Sequence, residues 1–307
     1  MGTKGYTLCA VATGAAYNQM QATLFTASAT NGLPDDYTAF CPLNGQSTVA
    51  AYASGSGQLD LYAVPAPGQG FGAPVGSQAL ETGYDILIPF TIGTQELALA
   101  YTSSSGIFQF FGVTGSGFQP LNTFSSTSPS TVSLTTVLPF FDWQGSTKGG
   151  SYMIGYDTNT GQVAFYQLTA QDDGTVAVNV VWQPTQLWDT GWMRFGYFQF
   201  GPESFFIKTN PSHGHVYIDH IMDDPSQGSH PAVTGLPLPL DLTATVTFTL
   251  QGDPCFATYF ASSGAVTLNR FRGDLNGWFE GAQATVTNGG SMAVSLVNGS
   301  APVILFY

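Results

Sequence analysis

A repeat of about fifty residues runs through the whole chain and constrains its fold more than any other feature. Each repeat contains a glycine followed by an alternating strand pattern, and these glycines are Gly5, Gly57, Gly106, Gly161, Gly214 and Gly264. The spacings between them are 52, 49, 55, 53 and 50 residues. A period of this length that contains only strand patterns is typical of a β-propeller, in which each repeat forms one blade.

A second set of positions keeps the same register. Five residues before the turn glycines lie Tyr52, Tyr101, Tyr156, Thr209 and Tyr259. Short strands bounded by Gly, Ser, Asn and Asp indicate hairpins, so each repeat predicts four antiparallel strands, A to D, counted outward from the ring axis. Because the tyrosines recur at one place in each blade, we interpret them as packing residues.

The two ends of the chain predict how the ring closes. Tyr307 takes the place of a B-strand tyrosine, and Gly5 takes the place of the turn that follows it. We therefore expect a single all-β domain over residues 1–307, a six-bladed β-propeller with four antiparallel strands per blade. Its closing blade joins C-terminal A and B strands to N-terminal C and D strands, which leaves no free sheet edge.

Composition argues against several kinds of partner. Only 8% of the residues are charged, and six basic residues face nineteen acidic ones, for a net charge of −13. A nucleic-acid-binding surface needs a basic face, so we expect no nucleic-acid partner. Since no apolar run approaches the 18 residues of a membrane span, we expect no membrane partner either.

The low charge, together with many Gly, Ser, Thr, Gln, Asn and aromatic residues, is typical of secreted fungal or bacterial all-β proteins. Asn298 begins an Asn-Gly-Ser sequon in a turn of the closing blade, which predicts a glycosylation site. The chain has three cysteines, Cys9, Cys41 and Cys255, which cannot all pair. Each lies in a predicted strand, so we expect buried free thiols rather than a disulfide framework.

Propeller geometry places the loops that enter the A strands and the B-to-C turns at one end of the central channel. We call this end the mouth, and we expect its side chains to contact a ligand. The substrate-binding candidates are Asp36, Tyr37, Tyr84, Thr135, Trp192, Thr245, Met292 and His215.

Blade four carries the least repetitive polar residues of the mouth. Arg194, His213 and Asp85 are the catalytic candidates, with Arg194 or His213 as hydrogen-bond donor or proton carrier and Asp36 or Asp85 as proton partner. His213 and His215 would share one face of a strand and could ligate a metal, but a third ligand such as Asp219 lies too far along the chain to converge. We expect no metal and no other cofactor.

The segment from Trp188 to Phe200, followed by the segment from Gly214 to Ile221, resembles the blade motif of tachylectin-like and fungal lectin-like propellers. This resemblance implies the fold. Six-bladed fucose-binding fungal lectins repeat an Arg, an acid and a Trp around the ring, whereas this chain has only Arg194, Arg270 and Arg272. The resemblance therefore does not extend to a repeated fucose site.

Structural positions repeat between the blades while mouth positions differ, which favours one asymmetric central pocket for a small hydrophobic or aromatic molecule. In size and style the chain also resembles the secreted fungal hetero-Diels–Alderases of tropolone-sesquiterpenoid biosynthesis. That resemblance implies a secreted enzyme of secondary metabolism, a pericyclase that holds a quinone methide against a terpene olefin. A carbohydrate-binding lectin-like propeller and a non-catalytic interaction scaffold stay open as alternatives.

Overall fold

A computed structural model describes most of the chain. The described residues are 7–13, 20–26, 33–34, 36–43, 48–66, 69–126, 134–141, 150–250, 252–285, 293–298 and 301–306. Within these ranges lie 24 strands and a single turn of 3₁₀ helix, Pro225–Gln227. No helix in this part of the chain is long and apolar enough to cross a membrane.

The strands form six four-stranded antiparallel sheets, and counting each sheet as one blade gives six blades. Blade one contains β3 (Ala39–Leu43), β4 (Thr48–Ala53), β5 (Gln58–Ala63) and β6 (Gly76–Ala79). Blade two contains β7 (Ile86–Ile92), β8 (Gln95–Thr102), β9 (Ile107–Thr114) and β10 (Gly117–Ser125). Blade three contains β11 (Thr136–Phe141), β12 (Ser151–Tyr156), β13 (Val163–Ala170) and β14 (Val176–Trp182). Blade four contains β15 (Met193–Phe200), β16 (Glu203–Asn210), β17 (His215–Ile221) and β18 (Ser229–Pro237). Blade five contains β19 (Ala244–Leu250), β20 (Asp253–Phe260), β21 (Ala265–Phe271) and β22 (Trp278–Thr285). The closing blade contains β23 (Ala293–Asn298), β24 (Ala301–Phe306), β1 (Thr7–Thr13) and β2 (Met20–Thr26).

The blades form a closed ring. The innermost strands contact one another in the order β3, β7, β11, β15, β19 and β23, and β23 returns to β3. A hydrophobic core lies between each pair of neighbouring blades. In β24, Val303 and Leu305 pack toward blade one while Ile304 packs toward blade five, because successive side chains of a strand point to opposite faces. The protein is therefore an all-β propeller with four-stranded antiparallel blades.

The closing blade has the predicted composition. Its strand order is β2, β1, β24, β23, so the C-terminal strands supply the inner half and the N-terminal strands the outer half. β1 and β24 are antiparallel, with Thr7 opposite Phe306 and Ala10 opposite Val303. Pairing between the two ends of the chain thus seals the ring, as the register of the repeat predicts.

The repeated tyrosines join neighbouring blades. The Tyr52 hydroxyl donates to the Glu81 carbonyl at 2.7 Å, and Tyr156 donates to the Asp189 carbonyl at 2.6 Å. The Tyr101 hydroxyl accepts the Leu134 N–H at 2.9 Å. In each case a buried B-strand side chain satisfies a backbone group in the loop that enters the next blade, so these tyrosines are structural.

Cys41 and Cys255 are buried and free, which confirms the prediction for these two residues. Burial raises the pKa of Cys41 well above its usual range, with Glu96 acting in the same direction. Burial raises the pKa of Cys255 to about 12. Both thiols are therefore protonated at neutral pH and poor nucleophiles. The side chain of Cys9 lies outside the described residues.

Candidate binding site at the start of blades four and five

The loop that enters blade four is held against the B-to-C turn of blade three. Trp188 donates its N–H to the Gly161 carbonyl at 3.0 Å, and Gly191 donates to the Thr158 carbonyl at 2.8 Å. The Thr158 hydroxyl in turn donates to the Trp192 carbonyl at 2.9 Å. Gly161 has φ +76°, and a Cβ there would lie 2.0 Å from the Trp188 carbonyl oxygen, so only glycine permits this approach.

A recurring turn contact accounts for two of the predicted site residues. Just before the A strands of blades two and three, Asp85 accepts the Ser103 N–H at 2.6 Å and Thr135 accepts the Thr158 N–H at 2.9 Å. Thr38 and Thr243 make the same contact in blades one and five. Asp85 and Thr135 are exposed, and these hydrogen bonds give both side chains a structural role in fixing the B-to-C turn.

Blade four lacks this contact. By strand register, Trp192 takes the position that is Thr or Asp in the other blades. Pro211 takes the position of the residue whose backbone N–H donates in those blades, and proline has no N–H. The B-strand tyrosine is also replaced, by Thr209, whose hydroxyl donates to the Met193 carbonyl of its own blade at 3.0 Å. Asn210 ties the turn to the entering loop instead, through its amide to the Thr190 carbonyl at 3.2 Å.

Arg194 stands out in its backbone conformation. Its φ is +54°, and the register of β15 against β16 shifts between Met193 and Gly196, which marks a bulge. A side-chain-bearing residue in this conformation costs on the order of 1 kcal/mol or more, and such strain concentrates at functional sites. The bulge redirects the Arg194 side chain across the blade interface, where its Nε donates to the Thr243 carbonyl.

Two polar atoms in this region are buried and have no hydrogen-bond partner among the described residues, Arg194 Nη1 and Thr245 Oγ1. They lie along the same contact between inner strands. The Thr247 hydroxyl donates to the Tyr197 carbonyl at 2.8 Å, and a Cβ on Gly196 would lie 2.5 Å from Thr247. Thr245 lies between Thr243, which contacts Arg194, and Thr247, which contacts Gly196. It is therefore on the side of β19 that faces β15.

No described acidic side chain forms an ion pair with Arg194. Burial lowers the pKa of Arg194 from its ordinary value, but a guanidinium stays protonated in proteins. In the described ranges the ion pairs are Lys208–Asp219 and Arg270–Asp253, and neither includes Arg194. A half-buried cation whose Nη1, with its two N–H donors, has no partner among the described residues favours an oxygen acceptor on a ligand, since such a bond replaces the lost hydration.

The histidines of the mouth are solvent-exposed. His213 and His215 lie in and just after the B-to-C turn of blade four, with ring centroids 6.4 Å apart. The His213 N–H donates to the Asn210 carbonyl at 3.2 Å, which closes the turn. Within the described part of the chain, no three His, Cys, Asp or Glu side chains lie close enough together to hold a metal ion.

The aromatic candidates are buried in the blade interfaces. Trp192 belongs to the core between blades three and four, and Tyr84 to the core between blades one and two. Tyr37 lies in the core between the closing blade and blade one, whereas Asp36 is exposed in the preceding turn. Met292 lies outside the described residues.

Tyr37 belongs to a buried polar cluster around Asp60. The Asp60 carboxylate accepts hydrogen bonds from the hydroxyls of Tyr37 and Ser77 and from Gln58 Nε2, the last at 2.8 Å. Burial acts to raise the pKa of Asp60, but these hydrogen bonds outweigh it and the net shift is downward. Burial and the bond to Asp60 raise the pKa of Tyr37, so the carboxylate holds the charge and the phenol keeps its proton.

Blade four also contains a buried ion pair that the sequence reading missed. Lys208 Nζ lies 2.6 Å from Asp219 Oδ2, and both side chains are buried. The ammonium lies 4.0 Å from the ring centroid of Trp188 and 5.1 Å from that of Trp192. Burial lowers the pKa of Lys208 and raises that of Asp219, and their attraction offsets part of both shifts. In the sequence, this pair is visible only as one lysine and one aspartate at inward positions of two apolar strands. Their contact can be predicted only once the pairing register of the two strands is known.

A cavity of about 410 Å³ opens between blades one and two. Its walls include the rings of Tyr84, Phe111 and Pro120 and the polar side chains of Gln78, Glu81 and Gln109. Burial raises the pKa of Tyr84 to about 12, so its hydroxyl is neutral at physiological pH. The cavity is off the ring axis, whereas the sequence predicts a central pocket lined by Tyr84.

The fold and the closed ring of inner strands define a protein of the β-propeller class. A solved structure of a protein from Lactobacillus plantarum is similar, with 10% identity and a TM-score of 0.51 over 92% of this chain and 82% of that one. Sqt1 from Saccharomyces cerevisiae has 9% identity and a TM-score of 0.47 over 87% of this chain and 79% of that one. A proposed 6-phosphogluconolactonase from Bacteroides fragilis has 11% identity and a TM-score of 0.47 over 92% of this chain and 82% of that one.

The likeness to the Lactobacillus plantarum protein bears on the fold alone, because fold similarity at 10% identity carries no information on activity. No protein-family model matches the chain, and no curated protein matches it. Function therefore has to be inferred from the chemistry of the site.

Proposed function

We propose that this protein is a small-molecule-binding enzyme of secondary metabolism, in which Arg194 holds an oxygen atom of a hydrophobic or aromatic substrate at the mouth. The observation that carries the proposal is the buried Nη1 of Arg194, which has no partner in the described ranges and lies on the same interface as Thr245 Oγ1. A strained backbone and an unneutralised guanidinium at one place favour a ligand-binding role over a purely structural one.

The reaction class that suits this site is a cyclisation or hetero-Diels–Alder cycloaddition. Such an addition forms one C–C and one C–O σ bond at the expense of π bonds of the heterodiene and the olefin, without a net transfer of protons or electrons. It needs two reactants held in the correct orientation, and one donor to the heterodiene oxygen stabilises the charge that develops there. Arg194 would be that donor, with Thr245 as a second polar contact. His213, exposed at the same end of blade four, would act only if the substrate extended outward to it.

Tropolone is a suitable first probe, because it places a carbonyl and a hydroxyl oxygen on one aromatic ring. Cycloheptatriene has the same ring size without the oxygens. We expect tropolone to bind and Arg194→Gln to weaken it about tenfold or more, the magnitude of one hydrogen bond to a charged group. Arg270→Gln removes an arginine paired with Asp253 at 3.3 Å and is the control. Equal binding of tropolone to the wild type and Arg194→Gln would contradict the proposed site.

Carbohydrate binding is the second candidate, and the cavity between blades one and two favours it. The cavity combines aromatic rings with a carboxylate and two amide side chains, which is the mixture of apolar faces and hydrogen-bonding groups that sugars require. A glycan array tests this directly with the wild type, with Glu81→Gln, and with Glu280→Gln as the control at an exposed glutamate of blade five. Glycan binding that Glu81→Gln abolishes would support a lectin-like role and weigh against the enzyme.

Secretion is part of the proposal. Asn298 is the last residue of β23, where the hairpin to β24 begins, and we propose that its sequon carries a glycan. The side chain of Asn298 is outside the described residues. Expression in a eukaryotic secretory host should give a species whose mass falls on glycosidase treatment, and Asn298→Gln should abolish that change.

A further inference from the structure

Three soft or borderline metal ligands meet at the outer edge of blade four. His220 on β17 lies directly opposite His230 on β18, and their ring centroids are 5.1 Å apart. Met222 follows His220 by two residues, and its Sδ lies 3.0 Å from His230 Nδ1. Two imidazoles and a thioether therefore share one side of the β17–β18 pair.

One nitrogen of this group is shielded from solvent although its residue is half-buried. His220 Nε2 is shielded from solvent and has no hydrogen-bond partner in the described residues. The Phe205 ring lies 5.0 Å from the His220 ring and helps to fix its position. A buried nitrogen that makes no hydrogen bond costs free energy, so this nitrogen favours a partner beyond those that the described residues supply.

The remaining two ligands are accessible from solvent. His230 is exposed and Met222 is half-buried, so an ion could reach the group without opening a core. Exposed carboxylates of Asp223 and Asp224 follow Met222 directly, and the whole chain has a net charge of −13. This field attracts cations to the rim of the group.

We propose that His220, Met222 and His230 form a binding site for a monovalent copper ion. Thioether sulfur selects Cu(I) over harder divalent ions, and imidazole is compatible with it. Metal–nitrogen and metal–sulfur bonds of about 2.0–2.3 Å would separate the donor atoms by roughly 3.5 Å. The His230 and Met222 atoms thus need to move apart by only about half an ångström, within the range of side-chain rotation.

This site is independent of the proposed reaction at Arg194. It lies on the outer strands, whereas Arg194 lies on the innermost strand of the same blade. It also differs from the pair His213 and His215, which lies in and just after the B-to-C turn with ring centroids 6.4 Å apart. That second pair therefore serves as a matched control within the chain.

The test is an anaerobic titration of the purified protein with Cu(I), kept reduced by ascorbate, against the competing chelator bicinchoninate. We expect one equivalent to bind, and Met222→Leu and His230→Ala each to weaken it by at least about tenfold. The double variant His213→Ala, His215→Ala should bind like the wild type. X-ray absorption at the copper edge should detect a sulfur neighbour in the wild type and none in Met222→Leu.

Circular dichroism of each variant keeps the result interpretable, because a folded His230→Ala protein excludes a general loss of structure. The proposal is overturned if Cu(I) affinity is the same in the wild type and in folded His230→Ala and Met222→Leu. It is also overturned if only the control double variant loses binding. Neither outcome bears on tropolone binding at Arg194, so the two proposals fail separately.

Discussion

A single hydroxyl group can join two blades of this protein. Tyr156 is buried, and its hydroxyl both donates to the Asp189 carbonyl at 2.6 Å and accepts the Trp192 N–H at 3.4 Å. The loop that carries Trp192 leads into Arg194, so Tyr156 also positions the candidate site. Tyr166 is equally buried, but its hydroxyl has no partner among the described side chains and backbone groups.

These two tyrosines give a matched pair of substitutions. We expect Tyr156→Phe to lower the free energy of unfolding by about 1–3 kcal/mol, because it leaves the buried Trp192 N–H and the Asp189 carbonyl without this hydrogen-bond partner. Tyr166→Phe should be neutral or slightly stabilising, since it removes a hydroxyl that makes no bond. Guanidinium denaturation of both variants measures the difference, and equal losses would show that the bonds of Tyr156 contribute nothing beyond burial.

The buried carboxylate of Asp60 predicts a specific pH dependence. Its pKa is lowered in the folded state, so its contribution to stability is present above the unfolded value of about 3.9 and is lost as pH falls through the folded value. Asp60→Asn should lower the denaturation midpoint at pH 7. The difference in denaturation midpoint between the wild type and the variant should become smaller below about pH 4. A difference in midpoint that stays constant from pH 7 to pH 3 would contradict this account of Asp60.

At the scale of one element, blade four differs from its neighbours in several coupled ways. Trp192, Thr209 and Pro211 replace the residues that make the repeated turn and tyrosine contacts. The Lys208–Asp219 pair and its surrounding indole rings fill the interface with blade three instead. The blade that carries Arg194 is thus anchored by its own contacts rather than by those of the repeat.

The buried pair should therefore be strongly coupled. Lys208→Met leaves Asp219 buried without its partner, and we expect a loss of about 3–5 kcal/mol in unfolding free energy. The double variant Lys208→Met, Asp219→Leu should recover most of that loss. Arg270→Met breaks the surface pair with Asp253 and should cost at most about 1 kcal/mol. Additive effects of the two substitutions in blade four would refute the coupling.

The fold was predictable because its signals repeat with the blades. Glycine spacing and strand alternation determine the strand order, including the pairing of β1 with β24. The candidate site was harder to predict from the sequence, because the strand register must be known before a side-chain contact can be assigned. Asp85 and Thr135 occupy the mouth as expected, yet their side chains bond to turn N–H groups. The bulge at Arg194 and the Lys208–Asp219 pair depend on contacts between strands that are distant in sequence.

At the scale of the whole molecule, the architecture repeats and the candidate site does not. Each blade contributes an inner strand, and a hydrophobic core lies in every interface of the closed ring. Among the described residues, the unpaired guanidinium at the mouth occurs in blade four, and the other two arginines lie on or next to β21 of blade five. A protein built in this way should bind its ligand once per ring, unlike a lectin that repeats one weak site to gain avidity.

The stoichiometry of ligand binding tests this asymmetry most directly. Isothermal titration of the wild type with tropolone should give one site per chain, with binding weakened about tenfold or more in Arg194→Gln and an unchanged isotherm in Arg270→Gln. Two or more equivalent sites per chain, or full binding by folded Arg194→Gln, would contradict the account.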